Sequence, residues 1–153
     1  MAFISTIDVI GSGFTAQQLR LDIVSENIVN MNTTRTENGE GPYRRKTVVF
    51  EAENRRSRFQ EAMARAQYGM TGRTARTQGG VRVVAVGEDP SDFKLKYDPD
   101  DPDANEDGYV EMPNVDLVKE ITDGMAASQA FSANVTVFNL LKSVISKGLE
   151  IGK

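Results

Sequence analysis

The sequence contains no cysteine, no histidine and no tryptophan. Without cysteine the chain can form no disulfide and has no thiolate nucleophile. Without histidine it also lacks the commonest general base and the usual nitrogen ligand of zinc. Catalysis would have to rely on carboxylates, lysine, tyrosine or hydroxyl groups, so the composition argues against an enzyme.

Long apolar runs are also missing, since no stretch approaches the ~20 apolar residues that span a bilayer. The N-terminal stretch MAFISTIDVIGSGF lacks a basic start and carries Asp8 among its apolar residues, so we expect no cleaved secretory signal. This expectation does not fix the compartment, because dedicated export machines use other addresses. With 153 residues, 39% hydrophobic and 26% charged, the chain has the size and composition of one ordinary domain.

The net charge of −4 is unevenly distributed. Residues 35–76 hold ten Lys or Arg against five Asp or Glu, whereas residues 88–123 hold three against thirteen. One interpretation is that these are two differently solvated surfaces. The other is that they are opposite patches which meet when copies of the chain or neighbouring subunits assemble.

The first segment, about residues 4–31, predicts a helix with a narrow apolar seam. Steps of three and four residues define eight seam positions, of which seven are apolar. They are Ile7, Ile10, Phe14, Gln17, Leu21, Val24, Ile28 and Met31. Gly11-Ser12-Gly13 weakens the early part of this helix. We interpret it as a flexible point rather than a dinucleotide-binding loop, because no strand precedes it.

The last segment, from about Val115 onward, predicts a second long helix. Asn114 is the predicted N-cap, and Asp116 suits the positive end of the helix dipole. The apolar residues form two stripes, which together cover much more surface than one narrow seam. The first stripe comprises Leu117, Ile121, Phe131, Val135, Phe138, Ile145 and Leu149, and the second comprises Ala130, Val137, Leu141, Val144 and Ile151.

Between these helices the pattern favours strands and turns. Residues 46–51, 80–86 and 92–97 are rich in β-branched residues or alternate apolar with basic residues, and are predicted strands. Residues 54–78 have weak periodicity, which leaves either a short helix near residues 60–66 or a mobile arm. The predicted fold is therefore α+β, with an N-terminal axial helix in residues 1–34, a β-rich insert in 35–114 and a C-terminal axial helix in 115–153.

Two helices joined through a distant insert can lie antiparallel and form a coiled-coil-like pair. The broad apolar face of the second helix exceeds what one narrow seam can cover, and such unused surface requires a further partner. The insert is one possible partner. The more economical partner is another copy of the same helix pair.

The acidic stretch YDPDDPDANEDGY is the best candidate for a metal site. Asp103, Asn105, Asp107 and Gly108 match the start of a calcium-binding loop, but Asn114 stands where the bidentate acid should be. We therefore prefer an acidic turn, and predict no metal and no cofactor. The arginines of residues 54–76 do not predict nucleic-acid binding, because the chain is acidic overall and aromatic residues are sparse there.

The first helix ends in the asparagine-rich stretch SENIVNMNTTRT. Asparagine side chains compete with the helix for backbone hydrogen bonds, so they are unusual on a simple surface helix. We hypothesise that Asn27, Asn30 and Asn32 face neighbouring subunits or the end of the helix itself. A buried amide fixes register, because a misplaced partner leaves it without hydrogen bonds.

Four stretches, in order along nearly the whole chain, resemble the flagellar basal-body rod protein family and within it the proximal-rod members. They are SENIVNMNTT, GPYRRKTVVFE, YDPDDPDANEDGYVEMPNVDLVKEITD and AASQAFSANVTVFNLLKSVISKGLEIGK. The resemblance implies a structural subunit that polymerises into the rod joining the membrane ring to the distal rod and hook. It also implies export without a cleaved signal through the flagellar type III apparatus, and a basal-body location that is periplasmic in a two-membrane cell.

The partners implied by this resemblance are other copies of the chain, other proximal-rod and distal-rod proteins, a ring–rod junction protein and the export apparatus. Neither nucleic-acid binding nor direct membrane insertion is expected. The residues expected to contact other subunits lie on both terminal helices: Ile7, Ile10, Phe14, Leu21, Val24, Asn27, Ile28, Asn30, Met31, Asn32, Leu117, Ile121, Phe131, Val135, Phe138, Leu141, Ile145 and Leu149. The alternatives are a cytoplasmic coiled-coil export chaperone or adaptor, a calcium-regulated binding module and, more remotely, a carboxylate-based hydrolase.

Overall fold

The computed structural model of the chain describes residues 2–36, 41–53, 63 and 79–151. Helix α1 covers Ala2–Val29 and helix α2 covers Leu117–Ile151. Between them lie four strands, β1 (Lys46–Ala52), β2 (Val81–Glu88), β3 (Lys94–Tyr97) and β4 (Tyr109–Met112). The predicted order of helix, β-rich insert and helix is confirmed. The helix or arm predicted for residues 54–78 lies outside the described residues, apart from Met63.

Helix α1 ends two residues earlier than the predicted seam, so Met31 lies in the following turn and not in the helix. Asn30 terminates the helix. Its backbone N–H donates to the carbonyl of Glu26 at 3.1 Å, and its side-chain amide donates to the same carbonyl at 2.9 Å. The Thr33 hydroxyl in turn donates to Asn30 Oδ1 at 3.2 Å. These local bonds give the backbone an alternative to continuing the helix.

The predicted N-cap of α2 was wrong, because Asp116 and not Asn114 caps the helix. Asp116 Oδ1 accepts the backbone N–H groups of Val118 at 2.9 Å and Lys119 at 3.3 Å. These two backbone hydrogen bonds lower the pKa of the Asp116 carboxyl. Asn114 is occupied elsewhere, since its Oδ1 accepts the N–H of Arg45 at 2.8 Å.

The two helices contact each other along much of their length. Phe14 packs against Phe131 and Phe138, with ring centroids 5.0 and 6.4 Å apart. Further along α1, Arg20 forms an ion pair with Asp123. Because residues later in α1 meet residues earlier in α2, the helices run antiparallel. Neither helix, over the residues that the structure describes, is both long and apolar enough to cross a bilayer.

The strands form two separate antiparallel ribbons. In the first, β1 pairs with β2 from Lys46 opposite Glu88 to Ala52 opposite Val81, with a register shift between Val49 and Phe50. In the second, β3 pairs with β4. The three predicted strands are confirmed, whereas β4 was not predicted. An isolated two-stranded ribbon is only marginally stable in water, so each ribbon needs contacts with the rest of the chain.

The first ribbon lies alongside α1 and is attached to it near both ends. Asn27 Oδ1 accepts the N–H of Lys46 at 2.9 Å, and Ser12 Oγ accepts the N–H of Val81 at 3.0 Å. Asn27 lies fifteen positions after Ser12, which is a rise of about 22 Å along a helix, and a seven-residue strand spans roughly 20 Å. The spacing of the two attachment points therefore matches the length of the ribbon.

The interpretation of Gly11-Ser12-Gly13 as a flexible point was wrong, because this stretch lies within α1 and provides packing contacts. A Cβ at Gly13 would lie 3.0 Å from the Asn134 amide nitrogen, so Gly13 lets α2 approach closely. Ser12 holds the second strand of the ribbon. Gly80 faces Ser12 so closely that a Cβ there would overlap Ser12 Oγ and lie 2.9 Å from Ser12 Cβ.

We predict that Gly80→Ala lowers the free energy of unfolding by about 1–3 kcal/mol, because the added methyl overlaps Ser12. Ser12→Gly removes the overlapping atoms, although it also loses the hydrogen bond to Val81. The double variant should therefore be more stable than the sum of the two single effects predicts, by about 1 kcal/mol or more. Urea unfolding followed by circular dichroism measures all three variants.

Gly148→Ala is the matched control. Gly148 lies in α2 with nothing near its missing Cβ, so alanine there should raise stability by roughly 0.5–1 kcal/mol. Strict additivity of the Ser12 and Gly80 substitutions would contradict a direct contact between them.

Candidate subunit interface and its polar junction

The most deeply buried polar residues meet where the end of α1, the start of β1 and the start of α2 come together. Asn27 is 1% exposed and Glu120 is 0% exposed, and Arg45 is also buried. We call Asn27, Tyr43, Arg45, Lys46 and Glu120 the polar junction. It brings together residues from three separate parts of the chain, so it positions both helices relative to the insert.

The side-chain amide of Asn27 makes every hydrogen bond that it can form. Its Oδ1 accepts the Tyr43 hydroxyl at 2.8 Å and the Lys46 N–H at 2.9 Å. Its Nδ2 donates to the Lys46 carbonyl at 2.9 Å and to Glu120 Oε2 at 3.0 Å. A primary amide has two donors and two acceptor lone pairs, so every hydrogen-bonding position is filled. Aspartate would lack both donors, and leucine would leave all of these groups unpaired.

The buried side chain of Glu120 forms an ion pair with Arg45. Arg45 Nε donates to Glu120 Oε1 at 2.6 Å, and Arg45 Nη1 lies 3.4 Å from Asp89 Oδ2. Burial by itself lowers the pKa of the Arg45 guanidinium, but the hydrogen bonds and charges of Glu120 and Asp89 outweigh burial and raise that pKa above its ordinary value. Removing either partner of a buried ion pair leaves an uncompensated charge, which typically costs about 3–5 kcal/mol.

The Tyr43 phenol is held in its neutral form. Burial is the largest cause that raises its pKa above the ordinary value, and the negative charges of Glu26, Glu120 and Glu88 add to it. Because the neutral hydroxyl donates to Asn27 Oδ1, ionisation would also remove a hydrogen bond from the junction.

The structure places the predicted α1 seam residues mainly toward α2 and the ribbon. Ile10 and Val24 are buried, while Phe14, Leu21 and Ile28 are half-buried. Ile7, near the start of α1, is exposed. The seam residues therefore contribute to packing within the chain, and their contact with other subunits stays a prediction.

Helix α2 leaves much of its predicted apolar surface uncovered by the chain. Phe131, Leu141 and Ile145 are half-buried, and the other predicted positions are exposed: Leu117, Ile121, Val135, Phe138 and Leu149. The sequence pattern did not predict three further apolar residues that α2 exposes. They are Val118, Met125 and Leu140, which are 73%, 68% and 63% exposed. They lie off the two predicted stripes, so periodicity gave no reason to select them.

The three asparagines that were predicted to fix the register of assembly lie in different environments. Asn27 is saturated by bonds within its own chain, and Asn30 terminates α1. Asn32 is exposed in the turn that follows. Contact of these residues with neighbouring subunits stays a prediction.

The acidic loop between β3 and β4 is organised by its own hydrogen bonds. Asn105 Oδ1 accepts the N–H groups of Asp107 at 3.1 Å and Tyr109 at 2.8 Å. Asp103 accepts the Thr34 hydroxyl at 2.9 Å, which joins the loop to the turn after α1. Across the described residues, no three acidic side chains are grouped closely enough to hold a metal ion. Through its two hydrogen bonds, the Asn105 side chain stabilises the turn between β3 and β4.

Comparisons with known proteins match both ends of the chain to flagellar families. The family model described as "Flagella basal body rod protein" matches residues 7–35, and "Flagellar basal body rod FlgEFG protein C-terminal" matches residues 106–151. Among similar proteins, the flagellar basal-body rod protein FlgC of Bacillus subtilis (strain 168) is 42% identical, with 100% of both chains covered. The protein of the same name from Borreliella burgdorferi is 42% identical, with 99% of this chain and 98% of the relative covered. The one from Salmonella typhimurium is 35% identical, with 100% of both chains covered.

We predict that Asn27→Ala lowers the free energy of unfolding by about 2–4 kcal/mol, because it leaves buried groups of Tyr43, Lys46 and Glu120 unpaired. Equilibrium urea unfolding of the full chain measures the change. Asn32→Ala is the control, since Asn32 is exposed and its removal should stay within about 0.5 kcal/mol. A loss of unfolding free energy for Asn27→Ala that is no larger than the loss for Asn32→Ala would contradict this prediction.

We also predict an alkaline loss of stability that depends on Tyr43. The unfolded phenol loses its proton near pH 10, whereas the raised pKa keeps the folded phenol protonated. Above about pH 10 the folded state therefore binds more protons than the unfolded state, so stability falls as pH rises. Urea unfolding between about pH 8 and pH 11 should show a steeper decline for the parent chain than for Tyr43→Phe. Parallel declines would contradict this prediction.

Proposed function

This chain belongs to the FlgC family of flagellar basal-body rod proteins, and we propose that it forms the proximal part of the rod by self-association of its terminal helices. The family is a structural one, and the chain is a structural subunit of the rod in the flagellar basal body. The relatives lend no support to the alternative of a cytoplasmic export chaperone or adaptor. Assembly with other rod components follows from the family.

The observation that carries the proposal is the uncovered apolar surface of α2. Leu140 and Leu149 are 63% and 70% exposed in the chain by itself. Burial of apolar surface contributes roughly 25 cal/mol for each Å² removed from water, so covering this helix in an assembly strongly favours association. Exposed apolar surface of this extent is typical of a face that another protein covers.

In this proposal the two helices act as an antiparallel, coiled-coil-like pair that packs side by side with other copies. Residues 1–34 and 115–153 form the axial layer, and residues 35–114 form the outward-facing insert. The predicted interface residues that the chain leaves exposed line contacts between subunits: Ile7, Asn32, Leu117, Ile121, Val135, Phe138 and Leu149. The polar junction supports this arrangement, because it joins the insert to the end of α1 and the start of α2, away from the exposed Leu140 and Leu149 later in α2.

We extend the proposal to location and further partners on the basis of the family. The chain passes through the flagellar type III export apparatus without a cleaved signal. It then contacts the ring–rod junction protein and other proximal-rod and distal-rod proteins. In a bacterium with two membranes, this part of the rod crosses the periplasm.

The test is an in-frame deletion in the source bacterium, with isolated basal bodies imaged by electron microscopy. We predict membrane rings without a rod or hook, and full recovery when the intact gene is restored. Restoring the Leu140→Asp variant should fail, because a charge on the uncovered face of α2 opposes its burial between subunits.

Ser146→Asp is the matched control, since Ser146 is an exposed polar residue on the same helix. It should restore rods and hooks. Complete hooks and normal swimming in the deletion strain would contradict the rod function. Normal rods with Leu140→Asp would contradict assembly through this face of α2.

A further inference from the structure

Gln17 is the one polar residue among the eight seam positions of α1. Among the residues that the structure describes, its Oε1 is the one buried side-chain nitrogen or oxygen atom that lacks a hydrogen-bond partner. Native proteins satisfy nearly all buried polar atoms, so each exception calls for a physical reason.

The surroundings of Gln17 do not explain its polarity. Its neighbour Ala16 is buried, and so is Ala127 on α2. One turn earlier, Phe14 packs against Phe131 with ring centroids 5.0 Å apart. An apolar side chain of similar length would suit this environment better than an amide, because it would bury no unpaired oxygen. For the isolated chain, Gln17 is therefore less favourable than methionine.

Helix α2 presents a surface that can supply the missing donor from outside the chain. Residues 124–141 contain no charged side chain, over a length of about 27 Å. Exposed amides and hydroxyls occur along it, at Ser128, Gln129, Ser132 and Asn139. We call the exposed side of residues 124–141 the uncharged face of α2. This face can be buried against another protein without the cost of removing charges from water.

We propose that Gln17 sets the register of assembly by accepting a hydrogen bond from the uncharged face of α2 in a second copy of the chain. This inference rests on the proposed function, because it requires the helix pairs of different copies to pack side by side. Gln17 is half-buried, so part of its side chain reaches the surface of the chain. Its terminal torsion is broad, so a modest rotation turns the oxygen toward a neighbour.

The physical effect is on specificity. An apolar residue at this position would accept any neighbour that covers it, including one displaced by a helical turn. A glutamine is satisfied only where a donor stands opposite its oxygen, so displaced neighbours leave it unpaired. A polar seam residue thus lowers the stability of the isolated chain and raises the selectivity of assembly.

The experiment compares Gln17→Met with Gln18→Met in the full chain. Gln18 is exposed and donates to Asp22 at 3.1 Å on the surface of α1, which makes it the matched control. Each purified variant is measured by thermal unfolding. Each gene is also restored to the deletion strain, and the amount of the chain in isolated basal bodies is measured relative to a ring protein.

We expect Gln17→Met to unfold at the same temperature as the parent or about 2 °C higher, yet to enter basal bodies about tenfold less efficiently. Gln18→Met should enter normally. Normal entry of Gln17→Met would overturn the inference and leave the rod function intact. A lower unfolding temperature together with poor entry would also overturn it, because that pattern indicates ordinary packing. Absence of the parent chain from basal bodies would overturn both the inference and the proposed function.

Discussion

The side-chain amide of Asn27 is the interaction on which the arrangement of this chain depends. It binds Tyr43 and the backbone of Lys46 from the insert, and Glu120 from α2. Without it, the end of α1, the start of β1 and the first turn of α2 would have no common partner. Because all four of its hydrogen bonds are filled in a buried site, a shift of any of these three elements would leave a buried polar group unpaired. The amide therefore imposes a geometry, in addition to whatever stability it contributes.

Burial is distributed unevenly along the helix pair, and this distribution suits a subunit that assembles. Near the polar junction, Val24 and Val115 are buried, whereas the C-terminal half of α2 exposes most of its apolar residues. The chain is thus well packed where the insert joins the helices and incompletely packed along the axial face. Regions with few buried apolar contacts are the easiest to reorganise. The polar junction, which fixes the geometry, and the exposed apolar face of α2, which we propose other subunits cover, are therefore different parts of the same helix pair.

The sequence predicted the elements well and their tertiary roles poorly. Apolar periodicity located both helices. β-branched residues located two of the four strands, and the alternation of apolar and basic residues located a third, because these signals are local. The roles of polar residues are not local. Asn27 binds groups that are 16, 19 and 93 residues away, so its unusual position could be noticed but its partners could not be named. Asn114 was mistaken for a helix cap because asparagine suits that role, and only the fold shows that its amide is bound to the insert. Ser12 was overlooked because two glycines beside it suggested flexibility, although one of them permits close packing on α2.

The contrast between two amides on α1 explains why polar seam residues should be separated into two kinds. Asn27 and Gln17 lie on the same helix, ten residues apart, and both carry a primary amide among apolar neighbours. The Asn27 amide finds every partner within its own chain, so its polarity is fully accounted for by folding. The Gln17 carbonyl finds none among the described residues, so folding alone gives no reason to prefer it over an apolar residue. A buried polar group that is satisfied within the chain specifies the fold, whereas one that is left unsatisfied leaves a hydrogen bond to be supplied from outside the chain. In the assembly that we propose, a neighbouring subunit supplies that hydrogen bond.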